Sequence, residues 1–266
     1  MQLGLSTAAF YGRWETEEAA AQIKCLGMDC AEAFLQTMSE YKPDFAKLVR
    51  AQLGGVPCVS MHPTGIQFEN QMFGRSSHQR QDAFDLFRRS LDAAQLLGAQ
   101  YYVYHGRSTA LLTPLPFNLQ ANVDVLGPMM EEAAQRGVTI AWENVSWCQL
   151  TTCDRIAQVK AALPSVRFTL DIKQAMRAGE NPIDMACVMG DALVHVHVCD
   201  YHESGKLCLP GEGCFDFEKL IAALKEMNYD GAVIMEPYLA LIDSDEALIR
   251  SIAHMRRIME MDNHAE

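Results

Sequence analysis

Eight times along this chain a short apolar run suited to a β-strand gives way to a longer stretch with helical periodicity. The strand-like runs cover 3–7, 30–35, 56–61, 100–104, 138–142, 166–170, 193–198 and 232–235. The helical stretches cover 15–26, 43–53, 76–97, 118–136, 151–163, 182–189, 216–227 and 244–260. Punctuation agrees with these bounds: Gly27, Gly54, Gly98 and Gly137 stand where helices should stop, and Pro43 sits in a first turn. Strict alternation of the two kinds of segment calls for parallel strands joined by right-handed crossovers. A chain of 266 residues without a linker-like change in composition then predicts one α/β domain over 1–266, a single (β/α)8 TIM barrel. An open, doubly wound sheet would alternate similarly, but no GxGxxG follows the first strand.

Period-two patterning within the strands says which side chains enter the barrel. In LVHVHVCD, 193–200, the three valines share one face while His195 and His197 share the other. His197 lies nearer the C-terminal end of the strand, where barrels place their active sites, and His195 a layer below it. In TIAWE, Ile140 and Trp142 face the helices while Thr139, Ala141 and Glu143 face the axis; in AVIME, Val233 and Met235 face out while Ala232, Ile234 and Glu236 face in. Phe168 and Leu170 point out when Asp171 points in, and Tyr102 and Tyr104 point out when His105 points in. The third strand similarly delivers His62.

Glu143, Asp171, His197 and Glu236 thus come from four neighbouring strands, the fifth to the eighth. A single acidic residue at a strand end is commonly just a helix N-cap, but four polar groups on consecutive strands need another reason. Three converging carboxylates repel one another without a cation, and a divalent metal resolves this. Oxygen-rich ligation with one imidazole suits Mn²⁺, Mg²⁺ or Co²⁺, and Zn²⁺ is also compatible.

Acidic residues outnumber basic ones 34 to 22, a net charge of −12 that would repel a phosphate backbone, so nucleic acid is not expected as a partner. No run of about 18 uncharged apolar residues occurs and the start lacks a basic segment followed by a long apolar one, which predicts a soluble, cytoplasmic protein without a membrane partner. The nine cysteines form no CxxC pair, unlike a zinc-finger or secreted disulfide framework.

The segments WEN at 142–144, LDIKQA at 170–175, HVHVCD at 195–200, PGEGCFDF at 210–217 and IMEP at 234–237 resemble the xylose-isomerase-like TIM-barrel superfamily. That grouping holds sugar and sugar-phosphate isomerases, ketose 3-epimerases, inosose-processing enzymes and endonuclease IV, and the resemblance runs in order along essentially the whole chain. It implies that Glu143, Asp171, His197 and Glu236 hold one divalent metal, Mn²⁺ favoured, with Glu143 and Glu236 also acting as acid and base. His62 and His105 match histidines that bind an additional zinc in endonuclease IV. In the epimerases residues near there face the substrate.

Departures from the family pattern also carry information. Gln174 stands where members often place a histidine, and Gly205 and Leu207 stand where the third zinc site of endonuclease IV needs ligands. Glu203 lies near the place of the epimerases' substrate-binding arginine. The expected substrate-side residues are His62, His105, Lys173, Gln174, Asp200 and Trp14, with Lys173 expected to ion-pair with the metal carboxylates in preference to holding a substrate anion. The glycines of PGEG permit a tight loop, and Asp216 can cap the next helix, whose N-terminus would suit an anionic group.

The expected function is a metal-dependent isomerase or epimerase acting on a small sugar or sugar phosphate, with homo-oligomerisation allowed. An inosose-type dehydratase is the first alternative, followed by an endonuclease IV-like hydrolase and a non-catalytic sugar-binding barrel.

Overall fold

The computed structural model describes residues 1–109 and 116–261. Eight strands close a parallel barrel: β1 (Gln2–Ser6), β2 (Cys30–Leu35), β3 (Cys58–Pro63), β4 (Tyr101–Tyr104), β5 (Thr139–Glu143), β6 (Arg167–Asp171), β7 (Leu193–Val198) and β10 (Ala232–Met235). Each pairs with its sequence neighbour, and β1 closes the ring against β10. Around it run α1 (Thr16–Cys25), α2 (Pro43–Leu53), α3 (Ser77–Leu97), α4 (Leu119–Ala134), α5 (Cys153–Ala162), α6 (Ile172–Arg177), α7 (Pro182–Met189), α8 (Phe217–Glu226) and α9 (Asp245–Glu260). Among the described residues no helix is long and apolar enough to cross a membrane.

Helix starts differ from the sequence expectation by one or two residues for a physical reason. Ser76, Asn118, Thr152, Asp216 and Ser244 stand just outside their helices, each side chain accepting a backbone N–H of the first turn. Two elements are additions to the expected plan. The short α6 starts directly after β6 because Asp171 caps it, accepting from the Gln174 amide. A two-stranded antiparallel hairpin, β8 (Asp200–Tyr201) and β9 (Leu207–Cys208), also follows β7.

The inside and outside of the barrel divide as the alternation predicts. Ile140, Trp142, Phe168, Leu170, Val233, Met235, Tyr102 and Tyr104 join the large apolar layer shared with the helices. Inside, Cys30, Ala232 and Ile234 form a small separate apolar plug. Gly4 closes the plug, since a Cβ there would lie 2.3 Å from Ile234 Cδ1 and 2.7 Å from Cys30 Sγ. Beside the plug lie Glu32, Ser60, Thr169 and His195, all fully buried, with Ala232 in register with His195.

Candidate active site

Parallel pairing brings the ends of β5, β6, β7 and β10 to one level, with Asp171 in register with His197 and Ile234 beside His197. Asn144 locks two of those ends together: its Oδ1 accepts the Asp171 amide at 2.7 Å and its Nδ2 donates to the Asp171 carbonyl at 2.9 Å. As a result Glu143, Asp171, His197 and Glu236 each present one ligand-type atom within 4.8 Å of the others. His197 Nδ1 lies 3.2 Å from Glu143 Oε1 and 3.7 Å from Glu236 Oε2. All four side chains are nearly or wholly removed from solvent, Glu236 the least so at 9% exposed.

Lys173 enters the same cluster from the first turn of α6. Its Nζ is 2.8 Å from Glu236 Oε2 and 3.1 Å from Asp171 Oδ2, and 5.0 Å from the centroid of the Tyr238 ring. His62 and His105 meet on the other side, Nε2 to Nε2 at 2.8 Å, and both approach Glu143 Oε2, at 3.6 and 3.0 Å. Gln174 lies beside them, its Oε1 accepting from the Ser146 amide and hydroxyl at 3.2 and 2.7 Å.

Charge balance in this cluster is uneven. Burial pushes every carboxyl toward its neutral form, yet the imidazoles of His105, His197 and His62 hold Glu143 well below the usual carboxylate range. Lys173 and then His197 likewise outweigh burial and lower Glu236. Asp171 goes the other way: burial pushes it up to about 6, Lys173 opposes this, and the charges of Glu143 and Glu236 add to it. Glu143 Oε2 and Asp171 Oδ2 are buried, accept no hydrogen bond and take part in ion pairs. Three carboxylates and an imidazole so close together fit a divalent cation held by Glu143, Asp171, His197 and Glu236.

A cavity of about 710 Å³ opens above this cluster. Its floor includes His62, His105, Glu143, Asp171, Lys173, Gln174 and Glu236, and Tyr11, Phe34, Trp147 and Tyr238 contribute aromatic wall. A volume of this size accepts a sugar with room to spare.

Two expected substrate-side residues stand elsewhere. After β1 the chain coils into a 3-10 turn over Thr7–Phe10, which stacks Trp14 on Phe10 at 4.9 Å beneath the Arg13 guanidinium. Trp14 borders a shallow depression with Glu17 and Glu18 on α1, and Tyr11 is the aromatic residue of that loop on the cavity wall. Asp200 is buried in the hairpin, where its carboxylate accepts the amides of Tyr201, Gly211, Gly213 and Phe215 at 2.7 to 3.1 Å. Gly211 and Gly213 of PGEG thus form a tight loop around a carboxylate, and Asp216 caps the following helix, accepting the Lys219 amide at 3.0 Å.

Sequence reasoning passed over Glu32 and Glu69. Glu32 sits mid-strand in CAEAFL and contacts both histidines of β7; its signal was a lone acid at an inward position of an otherwise apolar strand. Burial favours its neutral form, but His197 and His195 hold it well below the usual range. Glu69 lies buried in a 3-10 turn (Glu69–Phe73), accepting the Gly106 amide at 2.9 Å just after His105. Burial pushes it up to about 7, against the pull of His105 and Gly106.

Glu69 gives a pH prediction with a definite sign. Between the glutamate's ordinary pKa of 4.5 and about 7 the folded chain keeps a proton that the unfolded chain has lost, so this group's contribution falls as pH rises through that window. Chelated protein should lose up to about 3 kcal/mol from this source, at about 1.4 kcal/mol per pKa unit. Glu69→Gln keeps an acceptor for Gly106 and should flatten the profile and gain stability above pH 7. Urea unfolding at pH 5, 6, 7 and 8 checks it, and parallel profiles for the two proteins would refute it.

A family model described as a xylose isomerase-like TIM barrel matches residues 19–258. Among curated proteins, the inosose dehydratase of Clostridium beijerinckii is 25% identical over 133 residues, 42% of this chain, and the match spans only 45% of the dehydratase's length. Among solved structures, the 3-keto-D-glucoside 4-epimerase of E. coli superposes with a TM-score of 0.77 at 21% identity, covering 97% of this chain and 99% of that one. The IolI protein with a bound zinc atom superposes with a TM-score of 0.73 at 20% identity, covering 97% and 96%. At these identities the likeness to the solved structures is one of fold.

Proposed function

The chain belongs to the xylose isomerase-like TIM-barrel family, and from that premise we propose that it is a divalent-metal-dependent sugar isomerase or epimerase. The observation that carries this reading is the pair Glu143 and Glu236, both held ionised at the floor of one cavity and both within the four-donor cluster. When bound by Glu143, Asp171, His197 and Glu236, a divalent ion would polarise a hydroxy-carbonyl and acidify the neighbouring C–H.

Glu143 and Glu236 are the groups that would move the proton. One carboxylate takes it from the carbon beside the carbonyl; return by the other from the opposite face inverts that carbon, whereas return to the adjacent carbon exchanges aldose and ketose. His62 and His105, touching Glu143, would hold its carboxylate in place and face sugar hydroxyls. Gln174 offers an amide on the cavity wall for the same purpose. Lys173 keeps Asp171 and Glu236 charged and close.

A dehydratase reading is the alternative, favoured by the similarity to inosose dehydratase. It would use the same proton removal, followed by departure of a β-hydroxyl as water. Incubation with ketoses, inososes and their phosphates in D₂O with added Mn²⁺ separates the readings. Deuterium entering beside the carbonyl, without loss of mass, is the expected result. Loss of water would select the dehydratase, and no exchange with any member of the panel would overturn both.

A further inference from the structure

Beneath the proposed metal cluster, one carboxylate oxygen gathers three donors. Glu32 Oε2 lies 2.9 Å from His197 Nε2, 3.0 Å from His195 Nε2 and 2.9 Å from the Ser60 hydroxyl. Glu32, Ser60 and His195 are wholly buried, and His197 is 1% exposed. A buried carboxylate accepts and never donates, so each ring nitrogen facing it must carry the hydrogen. His197 therefore has its Nε2–H committed downward to Glu32, and Nδ1, which faces Glu143 and Glu236, is the nitrogen whose proton a bound cation would replace.

We propose that Glu32 is a positioning residue for His197, fixing its ring orientation and its Nε2–H tautomer so that the Nδ1 lone pair is presented to the metal. The inference rests on the reading of Glu143, Asp171, His197 and Glu236 as a metal site. A carboxylate behind a ligating imidazole both fixes the tautomer and makes the ligand nitrogen more basic. The ring of His195, packed at 80° to that of His197 with centroids 5.0 Å apart, supplies the second N–H to the same oxygen and limits rotation of its neighbour. Glu32, His195 and His197 could be taken for a cation site in their own right. That use would require both Nε2 atoms to lose their protons and their bonds to Glu32 Oε2, in a layer closed to solvent.

The test uses Co²⁺ and Mn²⁺ binding, not turnover. In Glu32→Gln, affinity measured by competition with a chromogenic chelator should fall about 10–100-fold, and the Co²⁺ absorption bands should shift. With the diamagnetic ion Zn²⁺ bound, two-bond ¹H–¹⁵N spectra should report the Nε2–H tautomer for His197 in the wild-type protein, and a mixture of tautomers in Glu32→Gln. The wild-type spectrum needs no variant to fold, and an Nδ1–H tautomer there would overturn the proposal. Equal metal affinity in the two proteins would overturn it as well, while leaving the metal site standing. Failure of the wild-type protein to bind either ion would instead remove the site and this inference together.

Discussion

Replacing Glu143 or Glu236 by glutamine should lower turnover by about 10²–10⁴-fold, the usual worth of a positioned acid or base. The amide has the shape of the carboxylate and keeps an oxygen for neighbours, but it cannot take a proton from carbon. Glu143→Gln removes the charge around which His62, His105 and His197 gather, so it should also loosen metal binding. Glu236→Gln leaves that group of imidazoles intact and removes one of the two carboxylates paired with Lys173. Measuring kcat at saturating Mn²⁺, alongside sugar and metal affinity, separates loss of chemistry from loss of ligands. A kcat within a factor of a few of wild type in either variant would end that residue's assignment.

Lys173→Met should destabilise the chelated protein by about 3–5 kcal/mol, the cost of removing one partner from a buried ion pair. Burial by itself disfavours the Lys173 ammonium, but Asp171 and Glu236 reverse this and hold the lysine charged. Methionine fills the space and leaves those two carboxylates facing each other and Glu143 with only the neighbouring imidazoles as counter-charge. Saturating Mn²⁺ should restore most of the lost stability, because a ligand bound only by the folded state stabilises it by mass action. Chemical unfolding with and without the metal reads both effects. A loss under about 1 kcal/mol, or no recovery on adding the ion, would show that Lys173 does not serve as the counter-charge of this site.

Much of the site was legible because β-strands alternate with a period of two and barrels put their working ends on one rim. Val194, Val196 and Val198 point one way, so His195 and His197 must point the other; the same logic placed Glu143, Asp171 and Glu236. Where local signals ran out, the errors were local too. Trp14 and Asp200 lie close in sequence to strand ends but beyond the last alternating residue, where period two no longer says where a side chain goes. A 3-10 turn carried Trp14 against Phe10, and a hairpin wrapped backbone amides around Asp200. Glu32 was hidden for a different reason: a lone acid within an apolar strand does not announce its histidine partners, which lie more than 160 residues away.

Periodicity and punctuation, which act over a few residues, were enough by themselves to determine a closed parallel barrel and the four strands that supply the acidic cluster. Which nitrogen of His197 faces that cluster, how closely Lys173 approaches both Asp171 and Glu236, and which aromatics wall the cavity were decided only when the ring closed. Those choices depend on distances between strands far apart in the chain, such as Glu32 Oε2 to His197 Nε2 or Lys173 Nζ to Glu236 Oε2. No local pattern encodes them.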